Sequence, residues 1–140
     1  MIIKQALYRH TAIPVIEKSL DAGTLRDKTI ANNLANLNTP RYQRIEVAFE
    51  KQLREALNKE KLKGTRTNPQ HLSVGRKEIT EVFPKAYRAK DPTKPGGINN
   101  VDIDIEASKL AENQITFNYA VKLMQTQKGV LSAAISGKAK

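Results

Sequence analysis

The residues that could act in catalysis or metal binding are few in this sequence. The chain of 140 residues has two histidines, His10 and His71, and no cysteine. A chain without cysteine has no disulfide, no thiolate metal site and no cysteine nucleophile. Neither histidine is accompanied by a carboxylate pair or a nucleophile–base set, and we interpret His71 as a turn or packing residue. We therefore expect no enzyme, and no catalytic, metal or cofactor site.

Acidic residues gather in one stretch, residues 99–106, where they could bind calcium. The stretch reads Asn-Asn-Val-Asp-Ile-Asp-Ile-Glu and is similar to the opening of an EF-hand loop. That loop needs a glycine at its sixth position and a bidentate glutamate at its twelfth, but Ala107 and Asn113 stand there. We reject a calcium site, and expect Asp102 or Asp104 to cap a helix instead.

Four asparagines, Asn32, Asn33, Asn36 and Asn38, crowd seven residues at the end of the first predicted helix. Asparagine is a poor helix former because its side chain competes for backbone hydrogen bonds. Two interpretations remain open: the amides hydrogen-bond across a close helix–helix contact, or they cap a fraying helix end. Capping explains Asn38 well but Asn33 poorly.

The element that must position these asparagines is a long helix within residues 11–38. Thr11 is its predicted N-cap, and Pro14 falls in the first turn, where its missing N–H does no harm. Two positions of its heptad pattern are not apolar. Gly23 is either a tolerated defect or a point of close backbone approach, and Asp27 either sets the register or faces water. The apolar seam residues of this helix are Ile13, Ile16, Leu20, Ile30, Leu34 and Leu37.

A second heptad pattern supplies the partner helix, within residues 101–136. Its seam residues are Leu110, Phe117, Val121, Met124, Leu131 and Ile135. The two patterns predict a mainly α fold, in which the N- and C-terminal helices pair as an antiparallel coiled coil. A two-helix seam buries too little apolar surface to offset the entropy of ordering both helices. We therefore expect this axial core to become rigid only when it packs against other subunits.

The chain between the terminal helices, residues 39–100, is predicted to be an insertion with a short middle helix and a loop-rich, partly extended remainder. Its prolines and glycines interrupt any helical period beyond residue 64. The expected parts are a β-turn at 39–42, a helix at about 45–63, and a loop-rich stretch at 64–100 with extended pieces at 72–74 and 79–83. Residues 1–10 hold little apolar surface and are predicted to be a flexible leader.

The net charge of +10 lies mainly in the middle of the chain. Residues 41–94 carry fourteen basic and seven acidic residues, whereas the terminal helices are nearly neutral and can pack against copies of themselves. The charge leaves nucleic-acid binding as an alternative, but no binding motif accompanies it. We expect no nucleic acid partner, and a solvated basic surface that faces an acidic partner or nearby peptidoglycan. The sequence also predicts no membrane insertion and no cleaved signal peptide.

Residues 31–44 closely resemble the N-terminal signature of bacterial flagellar rod and hook axial proteins, typically Asn-x-Ala-Asn-x-x-Thr-Pro-Gly-Tyr. Residues 67–72 and 99–114 are similar to the proximal-rod type of this family, rod protein B. Arg41 stands where the signature has glycine, so we expect a type I turn rather than a type II turn. The signature and turn residues of this chain are Asn33, Ala35, Asn36, Asn38, Thr39, Pro40 and Tyr42.

The resemblance implies a structural subunit of the flagellar basal-body rod, the shaft that transmits motor torque and is needed for flagellum assembly and motility. It implies self-association through the terminal helices. The implied partners are other rod subunits and copies of the chain, the basal-body ring and rod-base adaptor, and the type III export apparatus. The implied location is the rod in the periplasmic space, reached without a cleaved signal peptide. The alternatives are a nucleic-acid-binding helical protein and a generic coiled-coil adaptor.

Overall fold

The computed structural model describes residues 11–58, 68, 78–91 and 98–137, and this part of the chain is mainly helical, as predicted. The elements in chain order are α1 (Ile13–Ala35), β1 (Ile45–Ala48), α2 (Glu50–Leu57), a 3-10 turn (Ile79–Glu81), β2 (Lys85–Arg88) and α3 (Ile103–Ser136). The predicted leader, the extended piece at 72–74 and His71 lie outside the described residues. The proposed domain boundaries stay predictions.

The long terminal helices α1 and α3 pack against each other in antiparallel directions, as the heptad patterns predict. Asn33 of α1 contacts Glu106 of α3, and Asp27 contacts Asn113 further along both helices. The two residue numbers add up to 139 in the first pair and 140 in the second. Because α1 has 23 residues and α3 has 34, this register leaves the C-terminal end of α3 extending past the start of α1.

The helix ends follow ordinary capping chemistry, with small shifts from the prediction. Ala12, not Thr11, is the N-cap of α1, although the Thr11 hydroxyl accepts a hydrogen bond from the Ile13 N–H at 3.4 Å. At the start of α3, the Asp102 carboxylate accepts hydrogen bonds from the backbone N–H groups of Asp104 (2.9 Å) and Ile105 (3.4 Å). Asp102 is therefore the cap, and Asp104 is an acid in the first turn.

The prediction of a middle helix at about 45–63 is wrong for the first residues of that range. Residues 45–48 form β1, which pairs antiparallel with β2 so that Ile45 lies opposite Arg88, and the helix of this segment is only α2. The reason is a contact outside the segment: the Asn33 side chain bonds both the N–H and the C=O of Ile45, as a neighbouring strand would. The residues from 59 to 67 lie outside the described residues.

Two further details of the insertion differ from the prediction. The alternating residues at 79–83 begin with the 3-10 turn, closed by a capping box between Glu78 and Glu81, and the strand comes just after them. The turn at 39–42 is not type I, because Arg41 has φ +59°. A positive φ at the third turn position, after Pro40, is the type II geometry, and Arg41 adopts it where glycine would be unstrained.

The insertion packs on α1 through a small apolar cluster. Ala22 of α1 forms a buried cluster with Phe49, Ala56 and Val82, all nearly inaccessible to solvent, and the partly buried Leu53 packs against it. Near it, the Lys18 ammonium lies 3.7 Å from the centre of the Phe83 ring, a cation–π contact. α1 thus lies between α3 and the insertion, so the insertion is positioned by the same helix as the axial core.

Candidate assembly site

A polar junction joins the C-terminal end of α1 to β1 and to the first turn of α3. We define it by Asn33, Tyr42, Arg44, Asn99 and Glu106. Its centre is the buried Asn33 side chain, whose amide nitrogen donates to the Ile45 carbonyl (2.8 Å) and to Glu106 Oε2 (2.9 Å). Its amide oxygen accepts from the Ile45 N–H (2.9 Å) and from the Tyr42 hydroxyl (3.1 Å). All four hydrogen-bonding positions of one side chain are therefore used between separate elements.

The Glu106 carboxylate is buried and shared by two cations. It is 1% exposed, and its Oε1 lies 3.9 Å from Arg44 Nη1 and 3.8 Å from Lys109 Nζ. Within the described residues, Glu106 Oε1 and Arg44 Nε make no hydrogen bond. Arg44 also pairs with Glu46 (2.9 Å) and Asp91 (2.5 Å) through Nη2. A buried ion pair of this kind adds little net stability, but removing one partner leaves a buried charge.

Asn99 and Asn100 fix the chain just before α3. The Asn99 amide nitrogen donates to three carbonyls in the segment just after α1, those of Asn36 (3.0 Å), Leu37 (2.8 Å) and Thr39 (3.0 Å). The side-chain oxygen of Asn100 accepts a hydrogen bond from the Arg44 backbone N–H at 2.7 Å. The entry into α3 is thereby tied to the end of α1 and to the start of β1.

The ionisable groups of this region respond to their surroundings. Burial by itself raises the pKa of Glu46, but hydrogen bonds from Lys109 and Tyr87 and the charges of Lys109 and Arg44 outweigh it, so the pKa is lowered. The hydrogen bond to Glu46 raises the pKa of Tyr87. Burial, and then the charge of Glu106, raises the pKa of Tyr42. At neutral pH both tyrosines thus remain neutral donors to their oxygen acceptors.

Further along the helix pair, Gly23 is a point of close approach. A Cβ on Gly23 would lie 2.9 Å from Cδ2 of the Phe117 ring, so a larger residue would force the helices to shift. Beside it, the Asn113 amide nitrogen donates to the Gly23 carbonyl (3.0 Å) and to Asp27 Oδ1 (2.7 Å). Of the two interpretations given for Gly23, close approach holds. Asp27 is exposed to water and also accepts the hydrogen bond from Asn113 across the helix pair, so neither interpretation of Asp27 is excluded.

Both interpretations of the asparagine run apply, each to different residues. Asn33 bonds across to β1 and α3, whereas the Asn36 side chain donates to the Asn32 carbonyl at 2.8 Å and stays local. Among the signature residues, Asn33 is buried and Asn36 and Tyr42 are half-buried. The other four are exposed, namely Ala35, Asn38, Thr39 and Pro40.

The predicted seam residues differ in burial along the helix pair. Ile135 is 74% exposed, because it lies in the part of α3 beyond α1, so it takes no part in the contact with that helix. The buried members are Ile13, Ile16 and Ile30, and the half-buried ones are Leu20, Leu34, Leu37, Leu110, Phe117, Val121, Met124 and Leu131. The role of these residues as the seam of the paired terminal helices stays a prediction.

Sequence reasoning missed three of the residues that hold this site together, namely Glu106, Asn99 and Asn113. Glu106 looked like an ordinary helix-start acid, beside Asp104 and with the same relation to the helix dipole. Asn113 follows a charged residue in a polar stretch of α3, with nothing to mark it as buried. Asn99 could have been found from the sequence, because it precedes a second asparagine in the stretch 99–114 that resembles rod protein B.

The surface of α3 that does not face α1 carries large exposed apolar residues among polar ones such as Lys122 and Thr126. Ile115 and Tyr119 are 71% and 69% exposed, and Val130 is 62% exposed. At about 100° of rotation per residue they fall within roughly 60° of one another, on the side away from Asn113. We call these three residues the outer apolar face of α3. Large apolar side chains grouped on one side of a helix are normally packed against a neighbour, and these three remain mostly exposed in the single chain.

A groove of about 320 Å³ lies between α1, β1 and α3. Its lining includes Ile30, Glu106 and Thr116, together with Arg26, which pairs with Glu50, and Glu46, which pairs with Lys109. Among the described residues, no three or more histidine, aspartate or glutamate side chains are placed to hold a metal ion. In the same part of the chain, no helix combines the length and apolar character needed to cross a membrane. The charged residues named in the lining of this groove are engaged in ion pairs with one another.

Comparison with known proteins relates this sequence to flagellar proteins. The family described as "Flagella basal body rod protein" matches residues 25–43, which contain the end of α1 and the type II turn. The chain is 36% identical over 104 residues to the flagellar basal body rod protein FlgB of Borreliella burgdorferi, covering 71% of this chain and 76% of the relative. It is 28% identical to FlgB of Bacillus subtilis (87% and 91% covered) and 26% identical to FlgB of Escherichia coli K12 (86% and 91% covered).

Proposed function

Because the chain belongs to the FlgB family of flagellar basal body rod proteins, and so is a structural subunit of the rod, we propose that it self-associates through its terminal helices. In this proposal α1 and α3 form the axial core of a torque-transmitting shaft. The outer apolar face of α3 packs against neighbouring rod subunits, including copies of this chain. The insertion at 39–100 then lies outside that core.

The observation that carries this proposal is the outer apolar face of α3. Burying an aliphatic or aromatic side chain that is now in water contributes about 1.5–3 kcal/mol. Because Ile115, Tyr119 and Val130 are about two-thirds exposed, they offer roughly 3–6 kcal/mol per helix face in an assembly, before the cost of association is subtracted. If many subunits make the same contact, these modest contact energies add up to a stable shaft.

Transmission of torque requires that subunits keep their shape under shear, and the polar junction suits this need. An apolar seam alone resists sliding weakly, because one leucine can replace another after a shift of one turn. Asn33, Asn99 and Asn113 make directional hydrogen bonds that a shifted helix would lose. We propose that these amides hold α1 and α3 in one register while load passes through the subunit.

The remaining parts of the proposal concern partners and place. We propose contacts with the basal-body ring and the rod-base adaptor, and passage through the type III export apparatus without a cleaved signal peptide. The assembled subunit then lies in the periplasmic part of the basal body, with the basic insertion toward the peptidoglycan. The proposal includes no catalytic role and no nucleic acid partner.

The test is a double substitution on the outer face, Ile115→Glu with Tyr119→Glu. Both side chains are exposed in the single chain, so its helicity and unfolding midpoint should change little. In cells whose own copy is deleted, this variant should fail to restore swimming in soft agar and should give no complete rods in isolated basal bodies. Two buried charges at a subunit contact explain the loss, since neither would find a partner there.

The matched control is Gln114→Glu with Gln125→Glu, which adds the same charge to exposed positions on another side of α3. This control should restore swimming as the unaltered chain does. Normal swimming by cells that carry the Ile115/Tyr119 variant would refute the assigned surface. Equal loss with both variants would show that added charge, and not the outer face, decides assembly.

A further inference from the structure

The two-stranded sheet of the insertion is closed along the outer side of β1. The Ala89 N–H donates to the Arg44 carbonyl at 2.8 Å, and these residues extend the register that pairs Ile45 with Arg88. Because hydrogen-bonded and non-hydrogen-bonded pairs alternate along an antiparallel ladder, the backbone groups of Ile45 and Arg88 point away from the partner strand. On β1 this outward position is filled, since the Asn33 side chain bonds both backbone groups of Ile45.

On β2 the corresponding outward positions are open. The same alternation gives β2 two residues whose N–H and C=O groups point outward, Ala86 and Arg88. Outside the sheet, no backbone hydrogen bond from a described residue reaches either one. All residues of β2 are exposed, so the strand meets solvent on both faces as well as at its side. We call the outward backbone groups of Ala86 and Arg88 the open edge of β2. They are spaced as one further strand would use them.

The side chains around the open edge are basic. Lys85, Arg88 and Lys90 are exposed, and none of the three pairs with a carboxylate in the part of the chain that the structure describes. The acids that adjoin the sheet, Glu46 and Asp91, both pair with the arginine of the polar junction. The open edge therefore combines unused backbone donors and acceptors with cations that have room for an acidic partner.

From this geometry we propose that the open edge of β2 binds an acidic extended segment of another protein, which adds a third strand to the sheet. The backbone of Ala86 and Arg88 supplies the hydrogen bonds. Lys85 and Arg88 are three residues apart, so two acids with the same spacing lie opposite them whichever way the segment runs. Tyr87, which is 47% exposed, gives an apolar contact to the residues between those acids.

Charge decides between this partner and a second copy of the chain. The chain has a net charge of +10, and pairing of β2 with β2 of a copy would place basic side chains beside each other. Basic residues on an edge strand are a usual means by which a sheet avoids pairing with its own copies. The same cations attract an acidic strand and speed its encounter. The inference goes beyond the proposed assembly, which uses α3, and does not depend on it.

Amide hydrogen exchange of the full chain, followed by NMR residue by residue, tests this proposal. In the free chain the amides of Ala86 and Arg88 should exchange quickly, whereas that of Tyr87, which faces β1, should exchange slowly. The probe is the peptide acetyl-Thr-Glu-Val-Thr-Glu-Thr-amide. At about 10 mM peptide and a dissociation constant of about 1–2 mM, the exchange of Ala86 and Arg88 should slow roughly six- to tenfold. The same peptide with lysine in place of glutamate should leave both rates unchanged.

Variants of β2 separate the backbone contribution from the charge contribution. Ala86→Pro removes one outward N–H and no bond to β1, so it should abolish most of the protection at Arg88. Ala86→Val is the matched control, which keeps the N–H and should retain the protection. Slow exchange of Tyr87 in both variants would show that the sheet is intact. Lys85→Glu with Arg88→Glu should transfer the protection from the glutamate peptide to the lysine peptide.

Several results would overturn the proposal. Slow exchange of Ala86 and Arg88 in the free chain at every protein concentration would mean that the chain covers its own edge. Slow exchange that appears only as the protein is concentrated would mean that a second copy covers it. Equal protection by the two peptides, or protection by neither, would exclude an acidic strand as the occupant.

Discussion

Replacement of Asn33 with alanine would cut the polar junction at its centre. The variant leaves four groups without their partner: the N–H and C=O of Ile45, the Tyr42 hydroxyl and the Glu106 carboxylate. Asn33 is 1% exposed, so water does not reach these groups without a change in structure. The substitution therefore tests whether the junction holds α1, β1 and α3 together.

The size of the effect follows from the four bonds. A neutral hydrogen bond contributes about 1 kcal/mol and one to a charged group about 1.5–3 kcal/mol, so three of the first kind and one of the second give roughly 5 kcal/mol. Alanine recovers about 0.7 kcal/mol through its better helix propensity, and water entering the site recovers part of the rest. We expect a net loss of about 3–4 kcal/mol in the free energy of unfolding, or roughly 10 °C in Tm for a chain of this size.

The assay is urea and thermal unfolding followed by circular dichroism at the helical band. The matched control is Asn32→Ala, the adjacent asparagine on the exposed side of α1, whose side-chain oxygen accepts a local hydrogen bond from Asn36. That substitution should change the unfolding free energy by less than about 0.5 kcal/mol. A loss below about 1 kcal/mol for Asn33→Ala, or one no larger than that of the control, would refute the role given to the junction.

Three further predictions concern other parts of the fold. Gly23→Ala should lower the unfolding free energy by about 1–2 kcal/mol in spite of better helix propensity, because its Cβ meets the Phe117 ring; Phe117→Leu in the same chain should recover part of the loss. Arg41→Gly should raise the unfolding free energy by about 0.5–1 kcal/mol, because φ is +59°, and Arg41→Ala should give no such gain. The pKa of Glu46 is lowered in the folded chain, so the Glu46 carboxylate contributes its full stabilisation above its ordinary pKa of 4.5. That stabilisation is lost as pH falls through the folded-state pKa. Glu46→Gln should therefore reduce the fall of the unfolding free energy below pH 4.5, measured by urea titration across pH 3–7.

The sequence was sufficient to predict the two long helices and their antiparallel pairing, because both depend on local signals. Heptad spacing and the proline turn after α1 report on residues within one or two turns of each other. The acid that caps α3, Asp102, could also be found by spacing, within two candidates. The observed helices run Ile13–Ala35 and Ile103–Ser136, and assignments of a helix end commonly differ by one or two residues.

What the sequence could not predict depends on contacts between distant residues. The apolar residues at 45–48 are spaced as in an amphipathic helix. The Asn33 side chain, twelve residues before Ile45, hydrogen-bonds the backbone of Ile45 and so favours a strand there. The type II turn goes against the preference of Arg41 and is held by the Arg41 N–H, which donates to the Ile98 carbonyl across the chain. Burial of Glu106 depends on Asn33 and Arg44 arriving together, and nothing local distinguishes it from Asp104.

The junction and the outer apolar face of α3 depend on each other through the register of the helices. A slip of α3 by one turn, about 5.4 Å, would keep most aliphatic contacts of the seam, because Leu, Ile and Val replace one another with little loss. The same slip would separate Asn113 from the Gly23 carbonyl and Glu106 from Asn33, leaving a buried carboxylate without its hydrogen bond. Polar contacts therefore decide where Ile115 and Tyr119 stand relative to the insertion. A shaft made of repeated subunits needs that position to be the same in each copy, since an error of one turn in one subunit would misplace every contact its outer face makes.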